Sequence, residues 1–306
     1  MKILIIGNGL HTSKRILPAL LSIDNVNLIE IIDRKKTSIE KFGNTVIKNF
    51  NHIDKNSFYD FVIIASTPNA HLENFEQVKS YSDIFLIEKP LSNSSKIFEY
   101  KKFLKGHSTK RILEGLMYMH HPLWEKVQKV YNSNKLERIE ANFTIPHIDR
   151  NNYRYQQDKG GGFTYDLGIY PLSLFFGLYK EDYVIDNFTK TTQNNFDIDL
   201  GGKIEITTKS GIKFNSKWGI SDAYSNELIL ETNQGSYYYP FIFSKPDGYQ
   251  SFFEISSNDE IKRNEVGIYN QFTLMYKNIM KNNLNEFSTL NDQEKTYNLL
   301  FDLMKK

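Results

Sequence analysis

The segment Ile3–Thr12 has the sequence ILIIGNGLHT and decides how the first half of the chain folds. Its first four residues are apolar and mostly β-branched, which is typical of a strand buried on both faces of a sheet. Gly7 and Gly9 follow at once and permit a tight turn. The segment therefore predicts a strand and a turn, followed directly by a helix.

The same pattern repeats along the first half of the chain. Apolar, β-branched runs predict further strands at Leu28–Ile32, Phe61–Ala65, Ile84–Ile87 and Ile112–Leu113. The stretches between them predict helices at Ser13–Ile23, Thr37–Phe42, Ala70–Tyr81 and Ser94–Lys105. Strands that alternate with helices form a parallel, doubly wound sheet. Because ligands of such sheets bind beyond the carboxyl ends of the strands, the informative residues should follow each apolar run.

Composition excludes several classes of protein. The chain has 306 residues and a net charge of +2, so it lacks the basic excess of a nucleic-acid-binding surface. Without cysteine it can form neither disulfides nor thiolate metal sites. Residues 3–6 are too short an apolar run for a signal peptide, and no later run is long enough to span a membrane. We expect a cytoplasmic protein that binds neither nucleic acid nor membranes.

The turn after the first strand suits a dinucleotide, because its glycines let the backbone approach a pyrophosphate at a helix N-terminus. Asp33 ends the second strand, where a carboxylate can accept hydrogen bonds from a ribose. Asp33 would repel a 2′-phosphate, yet the three cations after it could hold one, so NAD is favoured over NADP only weakly. A plain turn and a surface aspartate are the alternative. The candidate cofactor-binding residues here are Gly7, Asn8, Gly9, Leu10, His11, Asp33 and Arg34, while Thr12 occupies the third glycine position of the fingerprint.

The next two strand ends add small and polar residues. Proline at position 90 biases Lys89 toward an extended conformation, which would aim its ammonium into the crevice. For an isolated lysine, an ordinary surface position would be the better interpretation, and His71 taken alone needs no chemical role. The candidates from these ends are Ser66, Thr67, Pro68, Asn69, His71, Glu88 and Lys89.

A glycine-rich motif at Gly160–Pro171 opens the second half of the chain. It predicts a helix over Phe163–Tyr179, on which Asp166 and Tyr170 share one face. The pair could exchange a proton with a substrate hydroxyl, or Asp166 could simply satisfy a buried tyrosine. Alternating residues then predict hairpins around Ser210–Gly211 and Gln234–Gly235, followed by helices at Tyr269–Lys281 and Asp292–Lys305. Tyr153 and Arg154 lie in a polar loop that could line the entrance and meet a phosphate, or could simply be solvated.

These motifs, in this order and spacing, resemble the Gfo/Idh/MocA oxidoreductases over nearly the whole chain. The resemblance implies a Rossmann domain at residues 1–118 and a substrate-binding domain with an open-faced, mainly antiparallel sheet at residues 119–306, whose last helix could return to the first domain. It also implies NAD or NADP, a sugar or cyclic polyol substrate, and a homodimer or homotetramer. Lys89 and Asp166 match the family's catalytic lysine and aspartate. Tyr170 stands where the family often has histidine, as in the branch that contains sugar-nucleotide ketoreductases and glucose–fructose oxidoreductase.

The side chains indicate how a ketone would be reduced. We expect Tyr170 to give or take the proton, Lys89 to orient and polarise the substrate hydroxyl, and Asp166 to hold that hydroxyl or Lys89. The converse, with Lys89 as the acid, stays open. Two other functions also stay open, namely an NAD-dependent glycoside hydrolase that oxidises its sugar transiently and a non-catalytic dinucleotide sensor. His120 and His121 have no further ligands at metal spacing, so we expect them to be structural and expect no metal site.

Overall fold

The computed structural model describes residues 1–92, 97–281 and 290–305. They divide into two compact units. The first unit contains Met1–Leu116 and the residues described between Tyr276 and Asn291, and the second contains Met117–Met275 and the described residues from Asp292 onward. The assignment of cofactor binding to residues 1–118 and substrate binding to residues 119–306, and the return of the last helix to the first domain, stay predictions.

The first unit is built on a seven-stranded sheet, as far as the described residues extend. Its strands are β1 (Lys2–Ile6), β2 (Leu28–Ile32), β3 (Glu40–Phe42), β4 (Thr45–Lys48), β5 (Phe61–Ile64), β6 (Ile84–Ile87) and β7 (Arg111–Glu114), in the order β3-β4-β2-β1-β5-β6-β7. Every pair except β3–β4 is parallel. Strand β5 is buried on both faces, as its apolar sequence predicts. The predicted doubly wound Rossmann sheet is confirmed.

Helices connect these strands. They are α1 (Leu17–Leu21), which follows a π-helical turn at Thr12–Ile16, α2 (His71–Val78) and α3 (Ile97–Lys105). The predicted start of the last of these, at Ser94, lies outside the described residues. In the core, the ring of Phe75 packs edge-on against Phe85, Tyr100 and Phe103.

The predicted helix at Thr37–Phe42 is wrong. Glu40–Phe42 is instead the edge strand β3, and it pairs antiparallel with β4, where Phe42 faces Thr45. Gly43, with φ +59°, reverses the chain between them. The dipeptide Gly43–Asn44 ahead of a β-branched run is a hairpin signal, and it outweighs the weak helical pattern before it.

The second unit holds an eight-stranded sheet among the described residues. Its strands are β8 (Leu136–Ile145), β9 (Tyr183–Thr191), β10 (Gly201–Thr208), β11 (Lys213–Ile220), β12 (Ser225–Thr232), β13 (Gly235–Pro240), β14 (Gln250–Ser257) and β15 (Glu260–Ile268), in the order β15-β14-β13-β12-β8-β11-β10-β9. Only β8–β11 is parallel. Both predicted hairpins, β10–β11 and β12–β13, are confirmed.

The remaining helices are α4 (Pro122–Ser133), α5 (Ile169–Leu178), α6 (Gln271–Met280) and α7 (Leu290–Lys305). The helix predicted at Phe163–Tyr179 is divided into a π-helical turn at Thr164–Gly168 and α5, so its first part is not a regular α-helix. Every residue of α5 is buried, and Phe175 packs on Phe214 of the sheet. Within the described ranges, no helix is long and apolar enough to cross a membrane.

Candidate active site

The strand ends of the first unit lie at one edge of the sheet. The amide of Gly7 donates to Ile32 O, that of Ala65 to Ile6 O, and that of Glu88 to Ile64 O. These bonds extend the parallel ladder by one residue beyond the strands. The glycine turn, the turn after β5 and the end of β6 therefore leave the sheet side by side, as the sequence predicts.

Gly7 and Gly9 serve different purposes. Gly7 has φ +115°, and a Cβ there would lie 2.7 Å from Ala65 O, so the fold itself requires glycine. A Cβ on Gly9 would meet nothing within 4 Å, which leaves this position open to a ligand. Thr12, in the third glycine position, is fully buried and donates from its hydroxyl to Gly7 O at 2.8 Å. Thr12, which departs from the fingerprint, therefore stabilises the turn through this internal hydrogen bond.

Replacing each of these glycines by alanine should separate stability from cofactor binding. We expect Gly7→Ala to lower the free energy of unfolding by about 2 kcal/mol or more, because it combines a strained φ with a backbone clash. We expect Gly9→Ala to stay within about 0.5 kcal/mol of the wild type and to weaken NAD(P)H binding. Urea unfolding and cofactor fluorescence titration measure the two effects, and tight cofactor binding by Gly9→Ala would contradict the assignment.

Asp33 presents a carboxylate next to the glycine turn. Asn8 Nδ2 donates to Asp33 Oδ2 at 3.1 Å, and the amide of Lys35 donates to Oδ1 at 2.9 Å. Slight burial raises the pKa of Asp33, but these hydrogen bonds and the charge of Lys36 outweigh it, so its pKa lies below the ordinary value. Arg34 and Lys35 are exposed, whereas Lys36 pairs with Glu40.

His71 connects the turns that follow β5 and β6. Its side chain is buried, with Nδ1 3.1 Å from Pro90 O and Nε2 3.0 Å from Ser66 O. Burial lowers its pKa, which favours the neutral ring. Thr67 donates from its hydroxyl to Asn69 Oδ1 at 2.9 Å within the same turn. Because both ring nitrogens face protein carbonyls, His71 shapes the two turns.

Lys89 is half-buried and follows Glu88, which is buried. Glu88 Oε1 lies 3.2 Å from Nε2 of His11 in the glycine turn. Burial raises the pKa of the Glu88 carboxyl, but its interactions with His11 and the charge of Lys89 outweigh burial and lower the pKa. The contact between His11 and Glu88 links the turn after β1 to the end of β6. The neighbouring Leu10 is the most exposed large apolar side chain described.

In the second unit, Asp166 forms an ion pair with Arg154. The distance from Arg154 Nε to Asp166 Oδ2 is 2.6 Å, and Asp166 is almost fully buried while the Arg154 side chain is 27% exposed. The guanidinium also lies over the ring of Tyr153, 4.8 Å from its centroid. Burial lowers the pKa of Arg154, but the charge of Asp166 and its hydrogen bond raise it above the ordinary value. The alternative that Arg154 is simply a solvated loop residue is therefore wrong.

Two of the three glycines of the motif, Gly161 and Gly162, build this arrangement. The amide of Gly162 donates to Arg154 O at 2.9 Å, and a Cβ on Gly161 would lie 2.5 Å from that same oxygen. Gly162 has φ +119°, and a Cβ there would lie 2.7 Å from Asp199 Oδ1. Asp199 in turn accepts the amide of Thr164 at 2.6 Å and so holds the start of the π-helical turn. No local signal identifies Asp199, because it lies far along the chain from the motif.

Tyr170 is 3% exposed and surrounded by aromatic rings. Its hydroxyl lies 3.6 Å from Met117 Sδ, and its ring contacts those of Phe143, Tyr118 and Phe243. Arg154 interacts electrostatically with Tyr170 as well as with Asp166. The cation that pairs with Asp166 is thus one that the sequence motif does not include.

His120 and His121 are buried and behave as structural residues. His121 Nδ1 accepts the amide of Leu123 at 3.1 Å and caps α4, and its ring meets Tyr269 edge-on. Burial lowers the pKa of His120 to about 4, and burial together with the charge of Lys245 lowers that of His121 to about 3. Along the described ranges, no group of three or more His, Asp or Glu could hold a metal ion.

Comparison with known proteins finds a matching family and several similar chains. Residues 1–113 match the GFO_IDH_MocA family, described as an oxidoreductase family with an NAD-binding Rossmann fold. The dTDP-3,4-didehydro-2,6-dideoxy-alpha-D-glucose 3-reductase of Actinomadura kijaniata is 25% identical over 246 residues, which are 78% of this chain and 73% of that protein. The protein of the same name from Streptomyces antibioticus is 23% identical, with 81% of this chain and 78% of that protein covered.

Two solved structures share the fold. KijD10, a 3-ketoreductase from A. kijaniata in complex with NADP and TDP-benzene, has a TM-score of 0.83 at 21% identity and covers 95% of this chain and 93% of its own. The aldose-aldose oxidoreductase of Caulobacter crescentus, complexed with glycerol, has a TM-score of 0.83 at 14% identity and covers 100% and 96%. The Rossmann unit and these matches define an NAD(P)-dependent oxidoreductase. Over residues 1–113 the chain matches the Gfo/Idh/MocA family, which its sequence motifs resemble.

Proposed function

We propose that the protein transfers a hydride between NAD(P)H and the ketone of a nucleotide-linked sugar, and that Tyr170 exchanges the proton. The observation that carries the proposal is the buried Tyr170 together with the Asp166–Arg154 ion pair, whose arginine interacts electrostatically with Tyr170. The curated relatives named as dTDP-sugar 3-reductases support this class of substrate.

The first unit fits the dinucleotide that such a reaction needs. Gly9 leaves room for close approach of a phosphate, and Asp33 offers hydrogen-bond acceptors near the surface of the same edge. The turn at Ser66–Asn69 and the ends at Glu88 and Lys89 would complete this binding site. Bound NAD(P)H supplies the hydride, and everything else falls to side chains of this chain.

Those side chains handle the proton and the substrate. As hydride reaches the carbonyl carbon, negative charge develops on its oxygen, and the Tyr170 hydroxyl donates the proton that neutralises it. Asp166 accepts a hydrogen bond from a neighbouring sugar hydroxyl and orients it. Lys89 keeps its proposed role of polarising the reacting oxygen, which rests on its motif.

The proposal is tested by following NAD(P)H absorbance with a panel of nucleotide-linked keto sugars, free sugars, inositols and dihydrodiols. We expect steady NAD(P)H consumption with a nucleotide-linked keto sugar. Release of a leaving group without net change in NADH would identify a hydrolase that oxidises its sugar transiently. Cofactor binding without turnover of any panel member would identify a dinucleotide sensor.

Asp33 should control which cofactor is used. Replacing it by alanine removes a carboxylate that hydrogen-bonds a ribose 2′-hydroxyl and repels a 2′-phosphate, and it leaves Arg34 and Lys35 exposed. We expect the ratio of kcat/KM for NADPH over NADH to rise at least about tenfold, which corresponds to roughly 1.4 kcal/mol. Steady-state kinetics with both cofactors measure it, and an unchanged ratio would remove Asp33 from the cofactor site.

A further inference from the structure

Two hydrogen bonds hold the backbone of Arg154, one to Asn152 and one from Gly162. Asn152 Oδ1 accepts the Arg154 amide at 3.1 Å, and Gly162 donates to its carbonyl. The missing side chain of Gly161 permits this approach, because any Cβ there would collide with the Arg154 carbonyl. A solvated loop arginine would not need such a fixed main chain.

The orientation of the Arg154 guanidinium is also fixed by its contacts. Its Nε donates to Asp166, and its face lies on the ring of Tyr153. The nearest further partner of Nη1, Asn152 Oδ1, is 3.5 Å away. The side chain is only partly exposed, so its charge acts in surroundings where it is weakly screened.

We infer that Arg154 is a positioning residue: it holds the Asp166 carboxylate in place and stabilises negative charge on the Tyr170 oxygen during proton transfer. The inference rests on the proposed function for its chemistry, but the electrostatic part can be measured without any substrate.

The surroundings of Tyr170 make this cation effective. The rings of Tyr118, Phe143 and Phe243 and the thioether of Met117 are poor solvents for a phenolate. A phenolate formed there depends on a nearby positive charge, and Arg154 supplies one. The carboxylate of Asp166, which pairs with Arg154, partly neutralises that charge.

The test follows the titration of Tyr170 in the full chain labelled with carbon-13 at the tyrosine Cζ. Tyr170→Phe identifies the resonance. We expect Arg154→Gln to raise the pKa of Tyr170 by about one pH unit or more, and Asp166→Asn to lower it, because the carboxylate no longer offsets the arginine. Arg154→Lys keeps the charge and should restore most of the wild-type value.

Arg150→Gln is the matched control, because it removes an exposed arginine from the same polar stretch. It should leave the Tyr170 resonance unchanged. If neither Arg154→Gln nor Asp166→Asn moves the titration, the inference is wrong. If both move it but no sugar is turned over, the electrostatic role stands and the proposed function fails. In the active enzyme, Arg154→Gln should also shift the basic limb of the kcat/KM profile to higher pH, which a purely structural role would not do.

Discussion

Replacing Tyr170 by phenylalanine is expected to lower kcat by about 10²–10⁴-fold while leaving cofactor affinity unchanged. The variant keeps the ring that packs against Phe143 and Phe243, so the second unit should remain folded. It removes the hydroxyl that would give its proton to the developing alkoxide. Steady-state turnover and NAD(P)H fluorescence titration provide the two measurements.

Tyr239→Phe is the matched control for this prediction. Tyr239 is a fully buried tyrosine of the same unit, and its hydroxyl has no hydrogen-bond partner among the described residues. Losing that hydroxyl should leave turnover unchanged. Full activity of the Tyr170 variant would show that another group, with Lys89 the first candidate, is the acid.

Lowering the pH from 7 to 5 is expected to destabilise the second unit by roughly 4 kcal/mol through His120 and His121. The folded-state pKa is about 4 for His120 and about 3 for His121, well below the value near 6.5 of a histidine in an unfolded chain. The unfolded state therefore takes up protons first as the pH falls. The stability that each neutral histidine contributes is fully present above pH 6.5 and falls as the pH drops toward its folded-state pKa. By pH 5, each histidine should have cost about 2 kcal/mol in the free energy of unfolding.

Tryptophan fluorescence can follow this change in one unit alone. Trp124 and Trp218 are the two tryptophans of the chain, and both lie in the second unit. His121→Asn keeps an acceptor that can cap α4 but no longer titrates. Urea unfolding of this variant should lose about half of the pH dependence. An equal dependence in the wild type and the variant would show that other groups cause the acid sensitivity.

The first unit follows from its sequence because its signals are local. Runs such as Ile3–Ile6 are apolar throughout, and a parallel sheet buries such strands on both faces. Strand β4 was missed because its run of four residues is short, although Gly43–Asn44 marks the turn before it. Strand β8 was missed because its neighbours in the sheet, β11 and β12, come from distant parts of the chain.

The sequence predicts only part of the candidate site, because some of its contacts join distant parts of the chain. Asp166 and Tyr170 lie in one motif, so the sequence alone identifies both as candidates. Arg154, Asp199 and Trp218 contact this motif only in the folded chain. Gly168 packs so closely on the indole of Trp218 that a Cβ there would lie 2.9 Å from it. This contact accompanies the π-helical turn, which no local spacing predicts.

The proposed reaction is hydride transfer to a sugar ketone. The most direct measurement uses NADPH or NADH carrying deuterium on the transferring face of the nicotinamide, with nucleotide-linked keto sugars as acceptors, and mass spectrometry of the product. We predict one deuterium on the carbon of the former ketone for each cofactor oxidised. Loss of the nucleotide or another leaving group without deuterium transfer, or no reaction of the cofactor with any acceptor, would show that the protein does not transfer a hydride to a sugar ketone.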